Sequence, residues 1–104
     1  MILASIETFP GKDFEVLGLV KGTIVQSKHI GRDFLAGLKT IVGGEIKGYT
    51  DMLNEARKKA TDRMVKEAEA LGADAIIGLR YGSSAVMDGS AEILAYGTAI
   101  KFKN

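Results

Sequence analysis

No cysteine occurs anywhere in the sequence. That excludes disulfides, thiolate nucleophiles and every Cys-based metal site, and it fits a cytosolic protein. Histidine occurs once, as His29, so a mononuclear site with two or more His ligands from one chain is excluded. Ser83 and Ser84 belong to no G-x-S-x-G elbow, and a Ser–His–Asp constellation cannot be inferred from one His. The sequence also lacks G-x-G-x-x-G and G-K-[ST] phosphate-binding patterns. No apolar run approaches the roughly 18 residues of a membrane span, and the start, MILASIETFPGKDFEV, has no basic n-region, so a signal peptide is not expected. Charge of one sign is missing as well. The formal net charge is +1, with Lys and Arg spread along the chain, which argues against a nucleic-acid partner.

What is present points to one globular domain over residues 1–104. Hydrophobic residues make up 46% and charged residues 26%, and a chain of this length cannot hold two cores. Residues 2–6, ILASI, read as a short strand. Phe9 to Asp13 is a turn or loop around Pro10-Gly11. Residues 15–25, EVLGLVKGTIV, read as a long strand with a bend or bulge near Gly18 or Gly22. A polar connection over 26–33 precedes a short amphipathic helix over 33–42, capped by Asp33 and stopped by Gly43-Gly44.

The strongest pattern runs from Thr50 to Leu71. Leu53, Ala56, Ala60, Met64, Ala68 and Leu71 fall on one helical stripe, rich enough in alanine to let the helix lie close to a sheet. Thr50 or Asp51 is the expected cap, Gly72 the expected left-handed residue after the helix. Glu55–Lys59, Asp62–Lys66 and Arg63–Glu67 are opposite charges four residues apart. Residues 74–86 read as a strand with Ile77, Leu79 and Tyr81 on one face and Ile76 and Arg80 on the other. Met87-Asp88-Gly89-Ser90 reads as a hairpin turn of type I′, and residues 92–102 as the returning strand. On that last strand Leu94, Tyr96, Ile100 and Phe102 share one face; Ile93, Ala95, Gly97 and Ala99 share the other.

The expected fold class is therefore α+β: an antiparallel β-sheet with one long helix packed on one face, preceded by a short helix. One helix covers one face only. The 15–25 and 92–102 strands are apolar or small-sided on both faces. Such a sheet leaves apolar surface to be covered either by the first segment and the short helix or by other subunits. The second reading is adopted: a homo-oligomer.

The run over residues 42–81 contains Gly43-Gly44-Glu45, Tyr49, Ala56-Arg57, Ala60, Met64, Ala68 and Leu71-Gly72-Ala73-Asp74-Ala75. This pattern resembles the YbjQ-like family of uncharacterised bacterial and archaeal proteins. The strand from Gly22 to Val25 and the strand from Ala95 to Ala99 match it too, so the resemblance covers nearly the whole chain. It implies a small α+β subunit similar to that of dodecin, and a ring-shaped homo-oligomer in which a pentamer is the usual assembly. It implies no established activity and no particular cofactor. Family descriptions use the phrase heavy-metal-binding. Soft metals prefer thiolate and thioether ligands, and this chain has no Cys, one His and four Met, of which Met64 lies on the helical stripe.

Each candidate site residue has two readings. Gly43, Gly44 and Glu45 form either a plain helix entry, with the carboxylate at the positive end of the dipole, or, with Tyr49 and Arg57, the lining of a pocket between subunits where glycine lets a ligand approach the backbone. Arg57 either forms a structural ion pair or holds an anion. Tyr49, Tyr81 and Tyr96 read as core or interface residues with a bonded hydroxyl. His29 reads as an exposed loop residue; as a metal ligand it would need copies contributed by several subunits. Three functions follow: a non-enzymatic ring binding a small ligand or ion at its subunit contacts, an enzyme using Glu45 in an interfacial pocket, and a metal-handling protein. The first is the reading adopted.

Overall fold

A computed structural model of the chain describes residues 1–26, 47–87 and 90–104, and for residues 47–49, 85–87 and 90 the backbone alone. The expected helix over 33–42, with its cap Asp33, lies outside the described residues. So do His29, Gly43, Gly44, Glu45 and the Asp88-Gly89 pair of the expected turn.

Four strands and one helix are described: β1 (Ile2–Leu3), β2 (Phe14–Gln26), α1 (Lys47–Ala70), β3 (Ala75–Met87) and β4 (Ser90–Phe102). The sheet order is β1-β3-β4-β2. β4 is antiparallel to both of its neighbours, whereas β1 runs parallel to β3, with Ile2 opposite Ala75. The sheet is thus mixed rather than wholly antiparallel. β1 and β2 lie on opposite edges, so no hairpin joins them, and a crossing connection permits parallel pairing. The pairing of residues 2–6 continues past the regular strand. Ala4 N donates to Ile76 O (2.9 Å), Leu79 N to Ala4 O (3.1 Å) and Gly78 N to Ile6 O (2.7 Å).

α1 begins at Lys47, so Thr50 and Asp51 stand within the helix rather than capping it, and no acid occupies its first turn. Its far end is as expected. Gly72 has φ +78°. Ala73 N donates to Ala68 O and Gly72 N to Glu69 O, at 3.1 and 3.0 Å, the paired bonds of a Schellman motif. Ala56, Ala60, Met64 and Ala68 are fully buried. Leu71 falls in the turn beyond the helix and is 48% exposed, so it does not extend the stripe. Of the three expected ion pairs, Glu55–Lys59 forms, at 3.4 Å between exposed side chains. Arg63 turns the other way and donates to the carbonyl of Thr23 at 2.6 Å, because the helix lies against β2 there.

That contact is backbone on backbone. A Cβ on Gly22 would overlap Ala60 O and lie 2.5 Å from Met64 N. Val20 and Ile24 flank Gly22 and are buried beneath the helix, joined by Ile76, Ile93, Ala95 and Ala99 from β3 and β4. The alanines of α1 and the glycine of β2 together bring the two layers close.

Two β-bulges sit at one level of the sheet. On β2 the register shifts between Val16 and Gly18; on β3 it shifts between Ile77 and Arg80. Gly18 and Gly78 supply the positive φ values, +136° and +61°. Both bulges flank β4 near Gly97 to Ala99. Gly22, the other expected position for a bend, keeps regular pairing opposite Ala95.

Opposite α1, one end of the sheet is covered by the chain itself. Ala75, Ile77 and Ile100 form a second cluster with Phe9, Phe14 and Phe102, and the rings of Phe9 and Phe102 meet edge to face at 4.9 Å. No other described element covers the rest of that face. Val16, Leu19 and Val25 are 61%, 69% and 55% exposed, and Tyr96 beside them is exposed too.

Gly22→Ala should destabilise the fold by about 1–3 kcal/mol or more, the cost of overpacking a tight contact. Gly82→Ala, whose added Cβ meets nothing within 4 Å, should stay within about 0.5 kcal/mol of the parent. Urea unfolding of both variants checks the pair. On α1, Met64→Ala should cost about 2–5 kcal/mol in the same assay, and Leu71→Ala well under 1 kcal/mol because Leu71 is exposed (about 0.5 kcal/mol is usual at such sites).

Candidate functional site

The β3 bulge decides which side chains of that strand meet the helix. Strict alternation from Ile76, which packs beneath α1, would place Gly78, Arg80 and Gly82 on the helix side. The extra residue at Gly78 shifts the alternation by one. Leu79 now joins the core beneath α1, and Tyr81 reaches the helix to bond Thr61. Arg80 goes to the other side, where Nη1 donates to the Ser5 and Leu79 carbonyls at 2.8 and 2.9 Å. The expected partition, Ile77 with Leu79 and Tyr81 against Ile76 with Arg80, is corrected by the bulge: Ile76 sides with Leu79 and Tyr81. Re-aiming a side chain in this way is a common use of bulges near functional sites.

Beyond the bulge, Tyr81, Gly82 and Ser83 of β3, Ala91 and Ile93 of β4, and Leu53 and Arg57 of α1 enclose an open cleft of about 370 Å³, within the usual range of small-ligand sites. Leu53 and Arg57 are one helical turn apart and so project to the same side. Apolar walls come from Leu53, Ala91 and Ile93. Among the described residues the lining contains one cation and no acid.

The polar groups form a directed chain. The Thr61 hydroxyl donates its proton to the Arg57 carbonyl, 2.7 Å away. The Tyr81 hydroxyl lies 2.8 Å from Thr61 Oγ1. A hydroxyl has one proton; Thr61 has committed its own, so Tyr81 is the donor in that pair. The phenol therefore faces the cleft with acceptor lone pairs, and its proton is held. The Arg57 side chain is half-buried and donates from Nη2 to Asn54 Oδ1 at 3.3 Å. Among the described residues no carboxylate comes within ion-pair reach of it.

Of the residues singled out from sequence, Arg57 lies in this cleft. Tyr49 lies in the first turn of α1, with its side chain outside what is described; Gly43, Gly44, Glu45 and His29 are outside as well. Tyr81, Thr61, Ser83, Leu53 and Ile93 were not expected as site residues. The available signals were Thr61 standing four residues after Arg57 and the glycine in the middle of the 74–86 strand. Among the described residues no three His, Asp or Glu side chains converge on a point that could hold a metal ion. With Cys absent throughout, the chain offers a soft metal no thiolate.

Comparison with known proteins gives the chain its relatives. A UPF0145 protein of Helicobacter hepaticus is 63% identical over 101 residues, covering 97% of both chains. One from Thermotoga maritima is 61% identical over 104 residues, covering 99% of this chain and 98% of its own. Among solved structures, a protein of unknown function from Pediococcus pentosaceus, of the DUF74 family, superposes with a TM-score of 0.70 at 20% identity over 99% of this chain and 98% of its own, a likeness of fold. The YbjQ family model, described as "Putative heavy-metal-binding", matches residues 1–103. By that match and by these near full-length relatives, the chain belongs to the YbjQ (UPF0145) family.

Proposed function

We propose that the protein is a non-enzymatic homo-oligomer that binds a small ligand, with its sites beside the contacts between subunits. The observation that carries the reading is the apolar face opposite α1, where Val16, Leu19, Val25 and Tyr96 are exposed and no described element lies over them. Scattered exposed apolar residues need no explanation; several on adjoining strands of one sheet face mark a contact surface. The shape of the subunit supports it. Its radius of gyration is 16.8 Å and its extents 55 × 27 × 17 Å, against about 13 Å expected for a compact chain of 100 residues. A two-layer slab has a large face to cover, and copies of itself are the simplest cover. A closed ring of five is the assembly expected for this family.

The 370 Å³ cleft supplies a place for a ligand within each subunit. It opens at the same end of α1 as Tyr49, and the Gly43-Gly44-Glu45 segment precedes that end by a few residues. Metal handling, as the family description has it, would have to draw on residues outside those described, His29 and Glu45 first among them.

Native mass spectrometry of protein purified without added metal or chelator tests this reading. A closed oligomer is expected, five copies by preference. A monomer at micromolar concentration would overturn it. Leu19→Glu places a charge in the middle of the apolar face and should shift the assembly to smaller species with the circular dichroism spectrum unchanged. An unaltered assembly would remove that face from the interface. Metal content measured on the same sample addresses the other reading: metal handling predicts an affinity that disappears on His29→Ala, and retained affinity would remove His29 as a ligand.

A further inference from the structure

We propose that the cleft between α1 and the β3–β4 hairpin takes a small amphipathic monoanion, a carboxylate carried on a short apolar body. This rests on the ligand-binding reading and names the ligand class for it. The head group is assigned by what Arg57 has and lacks. Its guanidinium offers five donors, yet the bond its side chain makes among the described residues is one long contact to a neutral amide, Asn54 Oδ1. The ion pair described on α1 uses Glu55 and Lys59 instead, and both are exposed. Among the described residues no acid lines the cleft. A half-buried cation against an apolar wall is stabilised by a counter-charge, and a guanidinium fork matches the two oxygens of a carboxylate.

The remaining polar groups place that head group. Tyr81 has its proton committed to Thr61, so it presents lone pairs and repels an oxyanion from the tyrosine side. Ser83, next but one along β3, is exposed, and its hydroxyl has no hydrogen-bond partner among the described residues. It is free to donate. The oxyanion therefore belongs between Arg57 and Ser83. The body of the ligand then lies along Leu53, Ala91 and Ile93, which are the apolar lining. Arg57, the one cation among the described lining residues, balances a single charge, which favours a carboxylate over a phosphate monoester dianion.

The probes are octanoate, octanol and octyl phosphate, titrated into uniformly ¹⁵N-labelled protein with amide shifts and calorimetry as readouts. Octanoate should give saturable shifts centred on Leu53, Arg57, Ser83 and Ile93, with octanol weaker by about tenfold or more, the usual worth of one charge-assisted hydrogen bond. Arg57→Gln should reduce octanoate to the affinity of octanol and leave octanol unchanged. Arg57→Lys should lie between. Should Arg57→Gln lose its native spectrum, Ser83→Leu, at an exposed strand position, serves in its place and should block octanoate by filling the cleft. Equal binding of octanoate and octanol would sink the anion assignment while leaving the cleft a ligand site. Octyl phosphate binding tenfold tighter than octanoate would replace the carboxylate by a phosphate. No saturable shift at the cleft with any probe would overturn both the ligand class and this cleft as the site; subunit number, read by mass spectrometry, would still decide the assembly reading separately.

Discussion

The approach of α1 to β2 at Gly22 is the constraint on which the other features depend. The helix lies so near the sheet there that Ala60 O and Met64 N occupy the space a side chain on residue 22 would need. Such proximity is possible because α1 presents alanine at 56, 60 and 68 and β2 presents no side chain at all between Val20 and Ile24. Dispersion contacts are short-ranged, so small residues on both sides let the backbones themselves pack. Arg63 then reaches over the edge of β2 to the Thr23 carbonyl, which fastens the helix at the strand it touches most closely. The rest of α1 is fixed by that pivot. One side meets β4 through Ala95 and Ala99, and the residues nearer its start stand above the far half of the β3–β4 hairpin, where the layers part.

The parting of the layers is what makes a cleft. At Gly22 there is no room for a methyl group; near Leu53 and Arg57 there are some 370 Å³. The two bulges contribute to the difference. Bulges bend a strand and strengthen its twist, and these two flank β4 at the same level. The β3 bulge also selects Tyr81 and Ser83 instead of Arg80 and Gly82 for the helix side. One glycine at positive φ, Gly78, thus determines both the bend and the chemistry of the lining.

The face of the sheet opposite α1 has less cover among the described residues. Among the described residues, Phe9 and Phe102 close the end of the sheet near Ala75 and Ile100. Over the remainder, Leu19 and Val25 from β2 and Tyr96 from β4 face outward. β2 is also an edge strand, and its outward face carries one Lys, Lys21, opposite Tyr96. Edge strands of monomers are usually blunted by shortness, charge or proline. This one is 13 residues long, without proline, a strand suited to contact with another chain.

Much of the fold was legible in the sequence because it is local or periodic. The stripe of α1 shows at Ala56, Ala60, Met64 and Ala68 because a helix repeats every 3.6 residues; the stop at Gly72 shows because glycine alone enters the left-handed region freely; the two faces of β4 show because that strand runs without interruption. The bulge on β2 at Gly18 was within reach, as a glycine in a strand-like run. What the sequence could not decide is everything that depends on which glycine does what and on which strand lies beside which. Gly18, Gly22 and Gly78 look alike as letters. One makes a bulge, one admits a helix backbone and one flips the faces of β3, and only the neighbours in space distinguish them. The parallel pairing of β1, the partners of Arg57 and the meeting of Thr61 with Tyr81 are contacts between residues far apart in the chain, and no periodic pattern encodes them. The sequence by itself determined the four strands, the long helix and the family, since all are written in local spacing. The tertiary structure alone decided the cleft, because its walls come from three elements whose distances are set by a contact at Gly22, elsewhere on the sheet.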